Sequence, residues 1–420
     1  MRESQRVSAL SSRATETEGL FRGLDRPGRR VVITGQVGVD KTPFLLSVAD
    51  LAVQRGQDVT LCNVGQMMYA DAPDVVSGRI LDLPLGRLNS LRRAVFKEIL
   101  EQARAARSLL VNTHATFRWR HGVFAAFDHD QMSQLDADLY VTVVDNVDAV
   151  HERLEREHDI DHTLKDLLIW REEEILATEV LAKAVRGHGC FYIVARSRSP
   201  QAEEVLYRLI FEPWRRKAYL SFPMTHVADE FEVMAEIDLF RDTMAEYFIT
   251  FDPGMVEEKQ LVTAAAAARR QGESHVRRQV NGRTVMLDAS ELLAVAKDID
   301  GQIYARDFML IEQADMIVSY IPAMPDGQPG LSSGVERELQ HAFETTKEVY
   351  VIWRPKAGPS PFITETATRI FTDLTEALAY FQRVAYIGDY QLPLMGPPRP
   401  GRTRHQPRSD DRNDERSGNE

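Results

Sequence analysis

The chain has 420 residues, 44% of them apolar and 27% charged, which is enough for two domains with hydrophobic cores of their own. Its 51 Lys and Arg face 63 Asp and Glu. The resulting charge of −12 excludes a protein built to hold long nucleic acid through its phosphates, but leaves room for small phosphorylated ligands.

In chain order, residues 1–29 are rich in Arg, Ser, Thr and Glu, lack the apolar run of a signal peptide, and read as a flexible lead. Buried strands follow at Val31–Thr34, Val59–Cys62, Leu109–Thr113, Leu139–Val144 and Phe191–Ala195. Helical periodicity fills the gaps, as in Phe44, Leu45, Val48, Ala49 and Ala52 before Gly56. A break near Phe211 to Lys217 precedes four more strands: Ala218–Phe222, Tyr247–Phe251, Met316–Ile321 and Glu348–Trp353. The stretch Val262–Arg283 reads as an Ala-rich helix and then a mobile loop. Residues 396–420, rich in Pro, Arg, Asp and Asn with little to bury, read as a disordered tail. Strands alternating with helices imply an α/β fold: two three-layer domains with parallel sheets, at 30–212 and 213–395. Cys62 and Cys190 lie in apolar runs, which argues against a disulfide framework or a cysteine-held zinc and for a cytoplasmic location. No apolar stretch approaches the length of a membrane span, so no membrane partner is expected.

The first strand runs into Gly35-Gln-Val-Gly38-Val-Asp40-Lys41-Thr42 and a helix, the context of a phosphate-binding P-loop. Backbone N–H groups and the helix N-terminus would cradle phosphates, Lys41 would reach the terminal phosphates, and Thr42 would ligate magnesium. Asp40 stands where the pattern has its second glycine. With Asn63-Val-Gly-Gln-Met-Met-Tyr69 and Leu110-Val-Asn-Thr-His114, the stretch Arg30 to Arg196 resembles the archaeal-type adenylate kinases and related nucleoside-monophosphate kinases. The resemblance implies ATP and magnesium at the loop, and a lid supplied by the helix Asp148–Arg156 with Arg153 and Arg156. Asn112 replaces the family's metal-side aspartate, and the segment beyond Arg156 is acidic. Phosphoryl transfer rests on positioning and charge neutralisation, so nucleotide binding is expected and fast transfer is not.

In the second half, Arg306-Asp307 to Ala314-Asp315 leads into a strand, and a Pro/Gly-rich loop then reaches Ser332-Ser333-Gly334-Val-Glu-Arg-Glu338-Leu339. Ser333 and Glu336 have capping-box spacing, which leaves Glu338 beside the buried stripe of the helix. Ser332, Ser333 and Gly334 form a candidate phosphate pocket at the helix N-terminus. A carboxylate near such a pocket suits attack at a sugar carbon, with Asp307 or Asp315 as the second carboxylate for proton transfer.

With Lys217-Ala-Tyr-Leu220 and Val351-Ile-Trp-Arg-Pro355, these pieces make Lys217 to about Phe381 similar to the nucleoside 2-deoxyribosyltransferase superfamily, a Rossmann-like fold. The branch they are most similar to is that of the deoxynucleoside 5′-monophosphate N-glycosidases. The resemblance implies Glu338 as nucleophile at C1′, Asp307 as acid/base, Tyr219 lining the sugar site, and Ser332 on the 5′-phosphate. It implies no cofactor for this half, and a homo-oligomer. Ser221-Phe-Pro-Met-Thr225 departs from the family's glycine- and serine-rich phosphate loop, and no glycine follows Glu338-Leu339. The expected activity is hydrolysis or exchange of the N-glycosidic bond of a nucleoside 5′-monophosphate, beside a nucleotide-binding P-loop domain of impaired kinase activity. Nucleotide depletion in stress or phage defence is the setting this pairing suggests. The alternatives are a nucleotide-sensing regulator without turnover, and an active monophosphate kinase with a structural C-terminal domain.

Overall fold

The computed structural model of the chain describes residues 28–76, 78–119, 122–157, 162–196, 201–224, 227, 229–280 and 282–388. The terminal lead up to residue 27, the tail, the acidic stretch 158–161 beyond the lid helix, and Thr225 fall outside them.

The first sheet is built from β1 (Arg30–Thr34), β2 (Val59–Asn63), β3 (Ser108–Asn112), β6 (Leu139–Val144) and β7 (Phe191–Ala195). Their order is β2-β3-β1-β6-β7, all parallel. Val31, Val32 and Ile33 of β1 have no exposure, as expected of a central strand covered by helices on both faces. The covering helices are α1 (Lys41–Gln54), α2 (Val64–Asp71), α3 (Leu85–Ala105), α4 (His129–Leu135), α5 (Val147–Glu157), α6 (Leu164–Arg186) and α7 (Gln201–Phe211). A short antiparallel hairpin, β4 (Thr116–Trp119) and β5 (Gly122–Ala125), follows β3.

The second sheet is also parallel, in the order β14-β13-β12-β8-β9. Its strands are β8 (Lys217–Ser221), β9 (Ile249–Phe251), β12 (Met316–Ile321), β13 (Glu348–Trp353) and β14 (Arg369–Phe371). Helices α8 (Phe231–Tyr247), α9 (Lys259–Arg270), α10 (Ala289–Ala294), α11 (Ala296–Glu312), α12 (Ser333–Glu344), α13 (Pro361–Thr364) and α14 (Leu374–Arg383) complete it. Two parallel sheets with helical layers make the α/β class plain.

The mobile loop expected after the Ala-rich helix is instead an antiparallel hairpin, β10 (His275–Val280) paired with β11 (Arg283–Asp288). Its alternation buries Val276, Val280, Val285 and Leu287, and the two-residue connection ends on Gly282 at φ 77°, the left-handed conformation such turns need. The hairpin reaches back to α5, where Arg278 lies 3.6 Å from Asp148 and Arg283 3.9 Å from Glu152.

The two sheets share one continuous apolar core, which runs from Val31 and Leu154 through Tyr192 and Phe251 to Leu339 and Trp353. Gln313 of the second unit completes the edge of the first sheet, accepting from Ile193 N at 2.8 Å and donating to Ile193 O at 3.0 Å.

Helix α5 packs directly on the turn between β1 and α1. Gly38 sits there at φ 87°, and a Cβ on it would come within 2.8 Å of Leu154 Cγ and 3.0 Å of Val150 Cγ1. Gly38→Ala is expected to destabilise the protein by about 2 kcal/mol through backbone strain and overpacking. Leu154→Ala should cost less in that background than alone, measured as a double-mutant cycle on thermal unfolding. Additive costs would show that the helix does not bear on Gly38.

Candidate functional site

In an open parallel sheet, ligands bind outside the carboxyl ends of the strands, where the chain reverses its direction of travel across the sheet. Here that point lies between β8 and β12, since β9 lies on the far side of β8. Tyr219 and Ser221 close β8 with no exposure, and Ser319 sits opposite Ser221 on β12. Helix α12 brings Glu338 over them. Tyr219 OH donates to Glu338 Oε1 at 3.0 Å and Ser221 Oγ to Oε2 at 2.6 Å. Ser319 Oγ in turn stands 3.4 Å from Ser221 Oγ.

Asp307 comes from α11 and is 8% exposed, with Oδ1 accepting no hydrogen bond. Its nearest cation is Arg306, whose Nε is 3.9 Å from Oδ1. Asp252, at the end of β9, adds a further carboxylate to the field around Asp307. Asp252 itself is held by Arg241 Nε at 2.7 Å and Gly254 N at 2.8 Å. Glu338, Asp307 and Tyr219 therefore converge on one crevice.

Asp315, the other carboxylate considered for proton transfer, does not join them. It precedes β12 at the opposite end of the sheet, where its Oδ2 accepts from Lys217 N at 2.8 Å and Lys217 Nζ at 3.3 Å. The helix start is also shifted by one residue from the capping box read in the sequence. Ser332 is the N-cap, in extended conformation, and its Oγ accepts from Val335 N at 3.2 Å. Ser333 and Gly334 then form the exposed first turn, whose N–H groups lack partners within the helix.

In the first domain, Gly35 and Gly38 lie on the turn from β1 into α1, and Lys41 and Thr42 open that helix. Lys41 is 6% exposed and donates to Gly35 O at 2.6 Å, with His114 Nδ1 at 3.4 Å. Burial lowers its ammonium to about 8, against the opposing pull of Glu174 and Asp40. Gly35 N donates to Glu174 Oε1 at 3.1 Å. Arg153, expected at a lid, is buried: it reaches Gly38 O at 3.0 Å and Asp145 Oδ2 at 2.8 Å. Arg156 pairs with Glu152 at 2.9 Å. Asp40 is left-handed, φ 57° and ψ 54°, and its carboxylate lies 3.5 Å from Arg196.

For a magnesium ion the protein offers one hydroxyl, Thr42 Oγ1, so nucleotide phosphates and water would complete its shell. Thr42 Oγ1 faces two side-chain amide nitrogens, Asn63 Nδ2 at 2.6 Å and Asn112 Nδ2 at 3.3 Å. Magnesium calls for oxygen ligands in octahedral array. Among the described residues, no group of three or more His, Cys, Asp or Glu is placed to hold a metal ion.

Three site residues gave no sequence signal. Ser221 hid inside an apolar strand. Arg196 follows β7 without a motif. Glu174 lies mid-helix in a charged run, yet it has no exposure and accepts from Ala115 N, Thr116 N and Thr116 Oγ1 at 2.6–2.8 Å, besides Gly35 N.

No protein-family model matches the chain. Its N-terminal part is similar to adenylate kinase of Pyrococcus furiosus, 25% identical over 189 residues, which is 43% of this chain and 92% of that protein. Among solved structures it is similar to shikimate kinase from Bacteroides thetaiotaomicron, at 16% identity and a TM-score of 0.29, covering 43% of this chain and 97% of that one. It is also similar to a chain of the Pnkp1/Rnl/Hen1 RNA repair complex, at 8% identity and a TM-score of 0.25, covering 86% of this chain and 94% of that one.

In the crevice, burial first and the Asp307 charge second push the Glu338 carboxyl up to about 8, although Ser221 and Tyr219 pull it down. Burial, with Asp252 adding to it and Arg306 opposing, raises Asp307 to about 6. Carboxyls raised above their unfolded values favour the folded state while protonated, and that stability is lost as pH rises through about 6 and about 8. Glu338→Gln should therefore leave the melting temperature unchanged near pH ~4 and raise it by about 2 °C near pH ~9. Equal melting temperatures at the higher pH would mean that Glu338 ionises without penalty.

Proposed function

We propose that the second domain cleaves the N-glycosidic bond of a nucleoside 5′-monophosphate, while the first binds a nucleotide at its phosphate loop. The observation that carries this reading is the Glu338 carboxylate held by two hydroxyls, Tyr219 at 3.0 Å and Ser221 at 2.6 Å, with the buried Asp307 beside it.

Glu338 attacks C1′ as the carboxylate, and the bond from C1′ to the base nitrogen breaks with its electron pair going to the base. Asp307 in its acid form delivers a proton to that nitrogen. Water then attacks C1′, Asp307 takes up the water proton, and Glu338 leaves as the carboxylate. The two hydroxyls orient Glu338 for attack and stabilise it as a leaving group. A free base in place of water would give exchange. The first turn of α12, with Ser332, Ser333 and Gly334, supplies N–H groups and a helix dipole for the 5′-phosphate.

Productive chemistry needs the one proton of the pair on Asp307, the minor of the two one-proton forms because Glu338 is the weaker acid, so kcat/KM for base release should be bell-shaped with limbs near about 6 and about 8. Glu338→Gln should lower base release by about a thousandfold or more with little change in binding. Asp307→Asn should lose less with good leaving groups, and its remaining limb should fall below about 8, because a like charge next to Glu338 is gone. The assay is chromatographic detection of free base from nucleoside monophosphates and the matching nucleosides. A Glu338→Gln variant that keeps most of the activity, or equal kcat/KM for both substrate forms, would overturn the corresponding assignment.

At the phosphate loop, the similarity to an adenylate kinase supports nucleotide binding, and the Lys41 contact with Gly35 O supports a loop that is already closed on itself. Lys41→Ala should weaken ATP binding by about tenfold. Asp40→Gly should tighten it, and wild-type affinity should fall as pH rises past about 8, where Lys41 loses its proton. Calorimetry on the full chain measures all three. Unchanged affinity in Lys41→Ala would sink nucleotide binding at this loop, and rapid ADP formation with a monophosphate acceptor would make the domain a working kinase.

A further inference from the structure

The residue preceding Asp307 connects the crevice to the other domain. Arg306 is 6% exposed, donates to Val256 O at 3.3 Å, and leaves Nη1 without a hydrogen-bond partner. The charges facing it are Asp307, Glu258, Glu172, Arg171 and Tyr219. Glu258, just before α9, has no exposure and is held from the first domain. Arg171 of α6 donates to it twice, at 2.6 and 2.9 Å, and Val147 N donates at 2.8 Å. Arg171 is fixed in turn by Gln302 Oε1 at 2.5 Å and Asp145 O at 3.3 Å.

A buried carboxylate must be paired, and two guanidinium groups are available to Glu258. Because Arg171 takes both of its oxygens, Arg306 is left free to face Asp307. We infer that Arg171 of the first domain is a positioning residue of the crevice in the second, acting through Glu258 to keep the Arg306 guanidinium beside Asp307. The inference rests on the reading of Asp307 as the acid/base, and deepens it: the crevice is complete only with the first domain docked.

Removing Arg171 alone turns Arg306 toward Glu258 and away from Asp307. Asp307 then faces Asp252, Glu338 and the Tyr219 ring without its cation, so its proton is held to higher pH. Arg171→Met leaves a buried charge unpaired and can fail to fold. The deciding variant is therefore Arg171→Lys, which keeps the charge but cannot hold both Glu258 oxygens as the guanidinium does. Its counterpart is Arg171→Met with Glu258→Gln. The double change removes both charges, which restores stability in buried pairs of this kind. It also removes the carboxylate that would draw Arg306 away from Asp307.

The experiment measures base release across pH with the full chain, for wild type, Arg171→Lys, and the double variant. Arg171→Lys should show kcat lowered by about 10- to 100-fold, KM nearly unchanged, and a displaced acid limb. The double variant should melt near wild type and return kcat and the limb close to wild type. An Arg171→Lys variant with wild-type kcat and an unmoved limb, or a double variant as impaired as Arg171→Lys, would overturn the inference. If wild type releases no base, the proposed chemistry is what fails. The coupling is then read from melting temperatures, by comparing Asp307 and Asp307→Asn forms across pH. The pH at which they diverge should be higher in Arg171→Lys than in wild type, and an identical pH would overturn the inference.

Discussion

A carboxylate removed from water costs several kcal/mol unless its partners are in place, and Glu258 finds its partners only across the domain boundary. Arg171 grips both oxygens, and Val147 N, at the start of α5, caps the same group. The pair therefore sets how α5 and α6 meet α9 and α11. From there the constraint runs in two directions. Helix α5 lies on Gly38 and carries Arg153 to the Gly38 carbonyl, while α11 carries Asp307 into the crevice. The Gln313 contact to β7 and the β10–β11 hairpin against α5 hold the same seam at either side. The elements that carry the two candidate sites are thus tied to one another along this seam.

The two sites differ in how their polar groups are used. Around the phosphate loop most of the demand is met internally. Lys41 bonds Gly35 O, Glu174 takes Gly35 N, Arg153 takes Gly38 O, and Arg196 takes Val39 O. Anything that binds there has to displace bonds already made, which lowers affinity by their worth. In the crevice, Asp307 keeps an oxygen without a donor and both carboxyls are pushed above their ordinary range. Groups held so far from their solution state are poised to gain by meeting a reactant, and such groups cluster at functional sites.

Much of this was legible in the sequence, for physical reasons that also mark the limit. Parallel strands are buried on both faces, so Val31–Thr34 and Met316–Ile321 read as apolar runs, and a turn after the first of them had to hold Gly35 and Lys41. The β10–β11 hairpin was misread because its buried residues alternate with Arg277, Arg278 and Gln279, and composition outweighed the period of two. The capping box failed on adjacent serines. Either Ser332 or Ser333 could cap α12, and only backbone conformation selects Ser332. Arg171 and Glu174 on their helix, and Glu258 just before one, were invisible because a charged residue in such a place looks solvated until a second domain or a neighbouring loop covers it.

Asp40 separates shape from charge in the altered phosphate loop. Glycine is the default residue in the left-handed region, and aspartate is among the few others that enter it at modest cost. At φ 57° Asp40 preserves the backbone course that glycine would give, so α1 starts where the motif requires and Lys41 keeps its place. What the substitution adds is a carboxylate at the helix N-terminus, and that charge is shared with Arg196 at 3.5 Å. An incoming phosphate would compete with Asp40 for Arg196 as well as meet its negative charge. Releasing the arginine to the ligand offsets part of the repulsion, at partial exposure and with solvent screening. The substitution thus changes the charge of the loop while the backbone still turns into α1, and that combination supports the proposed binding with slow transfer.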